Sequence, residues 1–193
     1  MKKVLLFLCN GFEEYEASVF TDVLGWSRVY GDIPVGVTTG GRRPKIKGTW
    51  NFTVIPEIQI AEVKVKDYDA LAIPGGFEKA GFYEDAYSED FLELIRNFDK
   101  EKKIIASICV GALPLGKSGI LKGRRATTYH LLDGIRRKQL AEFEVEVLNQ
   151  DVVVDENIIT SSSPATALNV TFKLLEMLTS KENCEKVKRW MGF

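Results

Sequence analysis

The 193-residue chain predicts an α/β fold, a mostly parallel sheet with helices packed on both faces. Three observations point there. Apolar runs from Val4 to Leu8, from Ala70 to Ile73 and from Ile104 to Ile108 have no polar interruption except Ser107, the pattern of strands covered on both faces. Segments with apolar residues at helical spacing alternate with such runs, which favours parallel pairing over hairpins. Each run ends on residues unsuited to continuing a strand: Cys9-Asn10-Gly11, Pro74-Gly75-Gly76 and Cys109-Val110-Gly111.

Taken in order, the first strand ends at Cys9, and Ala17, Phe20, Val23 and Leu24 mark a helix from about Glu13 to Tyr30, stopped by Gly31-Asp32. A strand over Val35 to Thr39 follows, then breakers at Gly40 to Pro44 and short extended pieces near 45–47 and 52–55. After the strand closed by Pro74-Gly75-Gly76, a helix runs through Phe91, Leu92, Leu94, Ile95 and Phe98, with Ser88 as its expected cap. The Cys109 strand leads into a helix ending near Gly116 or Gly119, and Arg125 to Tyr129 reads as a short strand. Glu144 to Val147 alternates, and Val152–Val154 with Ile158–Thr160 reads as a hairpin. Ser163-Pro164 opens a helix carrying Ala167, Leu168, Phe172, Leu175 and Leu178, and residues 181–193 hold a terminal helix. No linker or repeat interrupts the chain, so one domain over 1–193 is expected.

Lys and Arg number 26 against 27 Asp and Glu, a net charge of -1 that offers no field for nucleic acid or an anionic membrane. No apolar run approaches membrane-spanning length, and Met1-Lys2-Lys3 is followed by too short a run for a signal peptide. Three cysteines without metal-ligand spacing suggest neither a disulfide framework nor a metal, and a reducing cytoplasm is the expected location. Gly75-Gly76 lacks the spacing of a phosphate-binding glycine motif, so no cofactor is expected.

Sites in parallel α/β sheets form outside the carboxyl ends of the strands, where the three unusual endings would meet. There Cys109 is either a small buried hydrophobe or a nucleophile. A strand-to-helix turn pushes its side chain out of the sheet, and the helix start would lower the thiol toward the range of roughly 3.5–7.5 known for activated cysteines. Glu13, Glu14 and Glu16 read as first-turn acids that complement the helix dipole. They lack the further ligands of a carboxylate metal site.

The motifs Gly11-Phe12-Glu13-Glu14-Tyr15-Glu16, Pro74-Gly75-Gly76, Ile108-Cys109-Val110-Gly111 and Ala126-Thr127-Thr128-Tyr129, with Thr160 to Pro164, resemble in order and spacing those of the ThiJ/PfpI family. That family includes the Parkinson-linked protein deglycase, intracellular peptidases and chaperone-like glyoxalases. The resemblance implies a flavodoxin-like three-layer sandwich of the class I glutamine amidotransferase type. It makes Cys109 the nucleophile, Glu16 the acid at its sulfur, and Gly75, Gly76 and the Val110 amide the oxyanion and substrate donors. It also implies a homodimer or higher homo-oligomer.

Two departures matter. Peptidase and glyoxalase members carry histidine directly after the cysteine, where this chain has Val110, which disfavours a peptidase triad. Deglycase-like members place histidine after the threonine pair, where Tyr129 stands, and the only histidine, His130, comes one step later. One step along a strand is the opposite face, so His130 reaches the site only if the strand has ended; Tyr129 is the alternative hydroxyl donor. Expected functions are a cysteine-dependent hydrolase or glyoxalase/deglycase-type enzyme acting on small reactive carbonyls, or a redox sensor or stress-protective chaperone.

Overall fold

The computed structural model describes residues 1–193. Its elements are β1 (Lys2–Leu8), α1 (Glu14–Tyr30), β2 (Val35–Gly41), β3 (Ile46–Lys47), β4 (Thr53–Val54), β5 (Ile58–Gln59), β6 (Ala70–Ile73), α2 (Phe82–Ala86), α3 (Glu89–Lys100), β7 (Ile104–Ser107), α4 (Ala112–Ser118), β8 (Arg125–Ala126), α5 (Ile135–Ala141), β9 (Glu146–Val147), β10 (Val152–Asp155), β11 (Ile158–Ser161), α6 (Ala167–Leu178) and α7 (Lys181–Met191). Seven strands form one sheet in the order β10-β11-β7-β6-β1-β2-β5, parallel except for the β10–β11 hairpin. This is the expected flavodoxin-like architecture.

The apolar run of β1 shows why two helical layers are needed. Successive side chains leave a strand on opposite faces. Leu6 and Leu8 lie with Ala17 and Ser18 of α1, whereas Phe7 stacks on Phe91 of α3 with ring centroids 4.2 Å apart. All residues from Val4 to Leu8 are buried, each apolar side chain contributing on the order of 1.5–3 kcal/mol. α1 packs with α6 and α7 on one side, and α3 with α4 on the other.

Several boundaries differ from expectation. α1 begins at Glu14 because Glu13 is its cap, its side chain accepting the Glu16 N–H at 2.8 Å. Ser88 stands before α3, but its hydroxyl donates to the Asp85 carbonyl instead of capping. Ser163 likewise makes no cap bond, and Pro164 opens a 3-10 turn before α6. α4 ends at Gly119. The expected strand over 125–129 stops at Ala126: the Thr127 N–H bonds the Thr160 hydroxyl and the Thr128 hydroxyl bonds the Cys109 carbonyl, so neither continues a ladder.

A buried acid anchors the edge of the site. Asp85 of α2 accepts the Asn10 N–H at 2.8 Å and four contacts of 3.0–3.3 Å from Arg42 and Arg43. It thereby ties the end of β1 to α2 and to the loop after β2. α7 is fastened by Asn183, whose side-chain oxygen accepts the N–H groups of Asp32 and Ile33 at 2.7 and 3.1 Å.

Candidate active site

β2 lies on one side of β1 and β6 on the other, so the winding reverses at the carboxyl end of β1, where open sheets form clefts. The ends of β1, β6 and β7 meet there: Glu13 N–H donates to the Gly75 carbonyl at 2.8 Å, Phe77 N–H to the Gly11 carbonyl at 3.0 Å, and Ile108 N–H to the Ile73 carbonyl at 3.1 Å. Cys109 sits where β7 gives way to the 3-10 turn Cys109–Gly111 before α4, and it adopts φ 55°, a left-handed conformation costly for a residue with a Cβ. Strain of about 1–3 kcal/mol is retained at such positions because the surroundings over-determine them. The Thr128 hydroxyl supplies part of that constraint by donating to the Cys109 carbonyl at 2.9 Å.

Glu16 comes up beneath the sulfur from the first turn of α1 and is completely buried. Its Oε2 accepts the Gly75 N–H at 2.6 Å. Its Oε1 has no well-aligned partner, and the Cys109 thiol is the neighbour within reach. Burial, opposed by the Gly75 N–H and reinforced by Glu13, raises the Glu16 carboxyl from an ordinary value of 4.5 to about 8. Glu16 therefore holds a proton at neutral pH.

Burial also pushes the Cys109 thiol up, as does any charge on Glu16, while the Val110 N–H favours the thiolate. The lowered thiol expected from the helix start is not what this environment produces. Only 8% of Cys109 is exposed, and burial outweighs a seven-residue helix that begins one turn later. Cys109 and Glu16 form one coupled unit whose protons come off as a pair.

The other expected site residues are placed as follows. The Gly75 amide is committed to Glu16 and is not an oxyanion donor; a Cβ there would stand 3.0 Å from Oε2, so glycine lets the carboxylate reach the backbone. The Val110 N–H faces its neighbour's sulfur. The Gly76 N–H has no partner and is half-buried. A Cβ at Gly76 would meet the Phe82 ring at 2.3 Å and the Gly11 carbonyl oxygen at 2.4 Å. Gly76→Ala is accordingly expected to lower stability by about 2–3 kcal/mol, read by urea unfolding.

His130 is half-buried with Nδ1 3.2 Å from the Ser162 carbonyl oxygen, its ring tilted against Tyr129. Neither His130 nor Tyr129 makes a hydrogen bond to Cys109 or Glu16. Glu13 and Glu14 are not solvated first-turn acids. Glu13 accepts the Trp50 indole N–H at 3.1 Å and Glu14 the Trp50 and Phe52 N–H groups at 2.9 Å, tying the β3–β4 loop to α1. Cys9 and Cys184 are buried, and burial pushes both thiols up.

The chain has counterparts over nearly its whole length among known proteins. The sequence profile of the DJ-1/PfpI family matches residues 2–177. The chain belongs to that family. Protein dj-1beta of Drosophila melanogaster is 29% identical over 190 residues, which cover 97% of this chain and 95% of that protein. An uncharacterized Staphylococcus aureus protein is 32% identical over 163 residues, covering 84% of this chain and 90% of that one. The crystal structure of Drosophila DJ-1beta superposes with a TM-score of 0.85 at 28% identity, covering 98% of this chain and 97% of that one. Oxidized Toxoplasma gondii DJ-1 gives 0.82 at 25% identity, covering 99% and 98%.

Residues carrying part of the site were not singled out from sequence. Thr128 was visible only as part of a motif, and nothing local marks Tyr83 of α2 as a group that feels the charge of Cys109.

Proposed function

We propose that this DJ-1/PfpI protein acts on small reactive carbonyl compounds through Cys109, converting a 2-oxoaldehyde to a 2-hydroxy acid. One observation carries the reading: a wholly buried carboxyl, protonated at neutral pH, with one oxygen fixed by the Gly75 amide and the other without a partner, beside the Cys109 side chain. A carboxyl near 8 is poised to exchange a proton with sulfur and substrate at working pH.

Sulfur gives up its proton to solvent as it adds to the aldehyde carbon, while Glu16 keeps its own. Glu16 then protonates the alkoxide, giving a hemithioacetal, and becomes a carboxylate. As a base it takes the hydrogen from the former aldehyde carbon and returns it to the neighbouring carbonyl carbon, while the hemithioacetal hydroxyl proton passes to the neighbouring oxygen, leaving a 2-hydroxy thioester. Water cleaves the thioester, releasing the acid and restoring the thiol. The sum is one 2-oxoaldehyde plus one water to one 2-hydroxy acid. The free Gly76 N–H is the donor available to the oxyanion.

Turnover of methylglyoxal, followed as lactate formed, tests the reading. It is expected to saturate in the parent protein and to fall to background in Cys109→Ala. Activity unchanged in Cys109→Ala would refute it. Absence of turnover in the parent, with peroxide adding two oxygens at Cys109 alone, would favour a redox sensor instead. In that reaction two equivalents of hydrogen peroxide carry the thiol through sulfenic to sulfinic acid and release two waters. The Val110 N–H beside the sulfur suits this second reading.

We also propose a homo-oligomer working in a reducing compartment such as the cytoplasm. Tyr15, Trp50, Phe52 and Ile55 are exposed around an apolar groove between α1 and the β3–β4 hairpin, a surface a second copy would cover. No helix is long and apolar enough to cross a membrane. Light scattering is expected to give at least twice the chain mass; a monomer at micromolar concentration would count against the oligomer.

A further inference from the structure

Two residues past Gly76, whose N–H is left without a partner, Glu78 begins a cluster that the carbonyl chemistry leaves unused. α2 follows the Gly75-Gly76 turn, and α5 follows Thr128, the residue whose hydroxyl holds the Cys109 carbonyl. The two helices bring Tyr83 against Arg136, the guanidinium carbon 5.3 Å from the ring centroid. Tyr87 packs on Tyr83 with centroids 4.9 Å apart. The Tyr83 hydroxyl is buried without any hydrogen-bond partner. Burial pushes this phenol up, and a negative charge on the Cys109 sulfur adds to the effect, so the two groups share one electrostatic environment.

Arg136 is held by Gln139 at 2.9 Å and by Glu78 at 2.8 Å. Its side chain is only 18% exposed, whereas that of Glu78 is 68% exposed. The guanidinium fork is thus fixed and already shaped around a carboxylate, but the carboxylate it holds stands in water and gains little from staying. Guanidinium groups carry donors only, and a buried phenol without an acceptor lacks one. Apart from the exposed Glu78 carboxylate, the cluster holds no anion.

We propose that Tyr83 and Arg136 form an anion subsite that selects carbonyl substrates carrying a carboxylate or phosphate a few bonds from the carbon attacked by Cys109. The proposal rests on the reading of Cys109 as a nucleophile. In it Arg136 and Tyr83 position the substrate, and Glu78 is a surface placeholder that the incoming anion displaces.

The test uses two alkylating probes of one size and opposite character, iodoacetate and iodoacetamide, on the full chain with Cys9→Ser and Cys184→Ser. The ratio of their rates at Cys109, at fixed pH and salt and normalised to glutathione, reads anion selection without requiring turnover. Arg136→Gln is expected to lower the ratio roughly three- to fivefold, the effect of one partly screened charge. Glu78→Gln, a change at an exposed side chain, is expected to raise it by a similar factor, and Arg136→Lys to fall between. Lys138→Gln, an equal change of charge elsewhere on α5, is expected to leave it within measurement error.

An unchanged ratio in both Arg136→Gln and Glu78→Gln, or an equal shift in Lys138→Gln, would overturn the subsite while leaving the nucleophile intact. No alkylation of Cys109 by either probe would overturn the nucleophile reading, and the subsite with it.

Discussion

Glu16→Gln is expected to reduce turnover by roughly 10²–10⁴-fold while making the protein more stable at neutral pH. The first effect follows from removing the only buried proton carrier at the sulfur. The second follows from linkage. The folded-state value of about 8 lies above the ordinary 4.5, so the folded protein binds the Glu16 proton more tightly than the unfolded chain does. The favourable contribution is complete below about 4.5 and is lost as pH rises toward 8. At pH 7.5 the native state has forfeited about 4 kcal/mol relative to acid conditions, at 1.36 kcal/mol per pKa unit. Glutamine keeps an acceptor for the Gly75 N–H and does not ionise. The variant is expected to melt roughly 8–16 °C above the parent at pH 7.5, with the advantage shrinking toward zero near pH 4.5. Scanning calorimetry across that range checks both the sign and the window. A stability difference that does not vary with pH would contradict the account.

Asp85→Ala is expected to be the most damaging substitution away from the chemistry. Its carboxylate is fully buried, while the two arginines it holds are 31% and 41% exposed. Breaking a buried ion pair costs about 3–5 kcal/mol when the remaining charge cannot escape. Arg42 and Arg43 can turn toward water, so a loss near the lower end, about 3 kcal/mol, is expected by urea unfolding. Asp85→Asn keeps an acceptor for the Asn10 N–H and is expected to lose less. The consequence extends to function, because Asp85 aligns the Asn10-Gly11 turn that leads into Glu13 and Glu16. A partial fall in turnover should accompany the loss of stability in Asp85→Ala.

The strands were legible where burial on both faces left an uninterrupted apolar run, as in β1, β6 and β7, and where alternation met a turn, as in the β10–β11 hairpin. The meeting of the three strand ends was also legible, because their glycines, proline and cysteine have little purpose inside a sheet. Details set by long-range hydrogen bonds were not. Ser88 and Ser163 have the residue type of caps and no cap bond, and the strand at Arg125 stops early because Thr127 and Thr128 find partners on β11 and at Cys109. Glu13, Glu14 and Glu16 look alike in sequence and differ only by what lies opposite: the β3–β4 loop for the first two, the thiol for the third. The direction of the Cys109 shift was missed for a related reason. Proximity to a helix start is visible in sequence, whereas burial under α1 and beside a carboxyl about ninety residues away is not.

The central claim is that Glu16 holds a proton at neutral pH as part of a pair with Cys109. The most direct measurement is the pH dependence of the Glu16 side-chain carboxyl ¹³C shift, assigned by its absence in Glu16→Gln. A midpoint near 8 is the expected result. A midpoint near the ordinary 4.5, with the carboxylate already formed at pH 6, would contradict it and leave Cys109 without its proton partner.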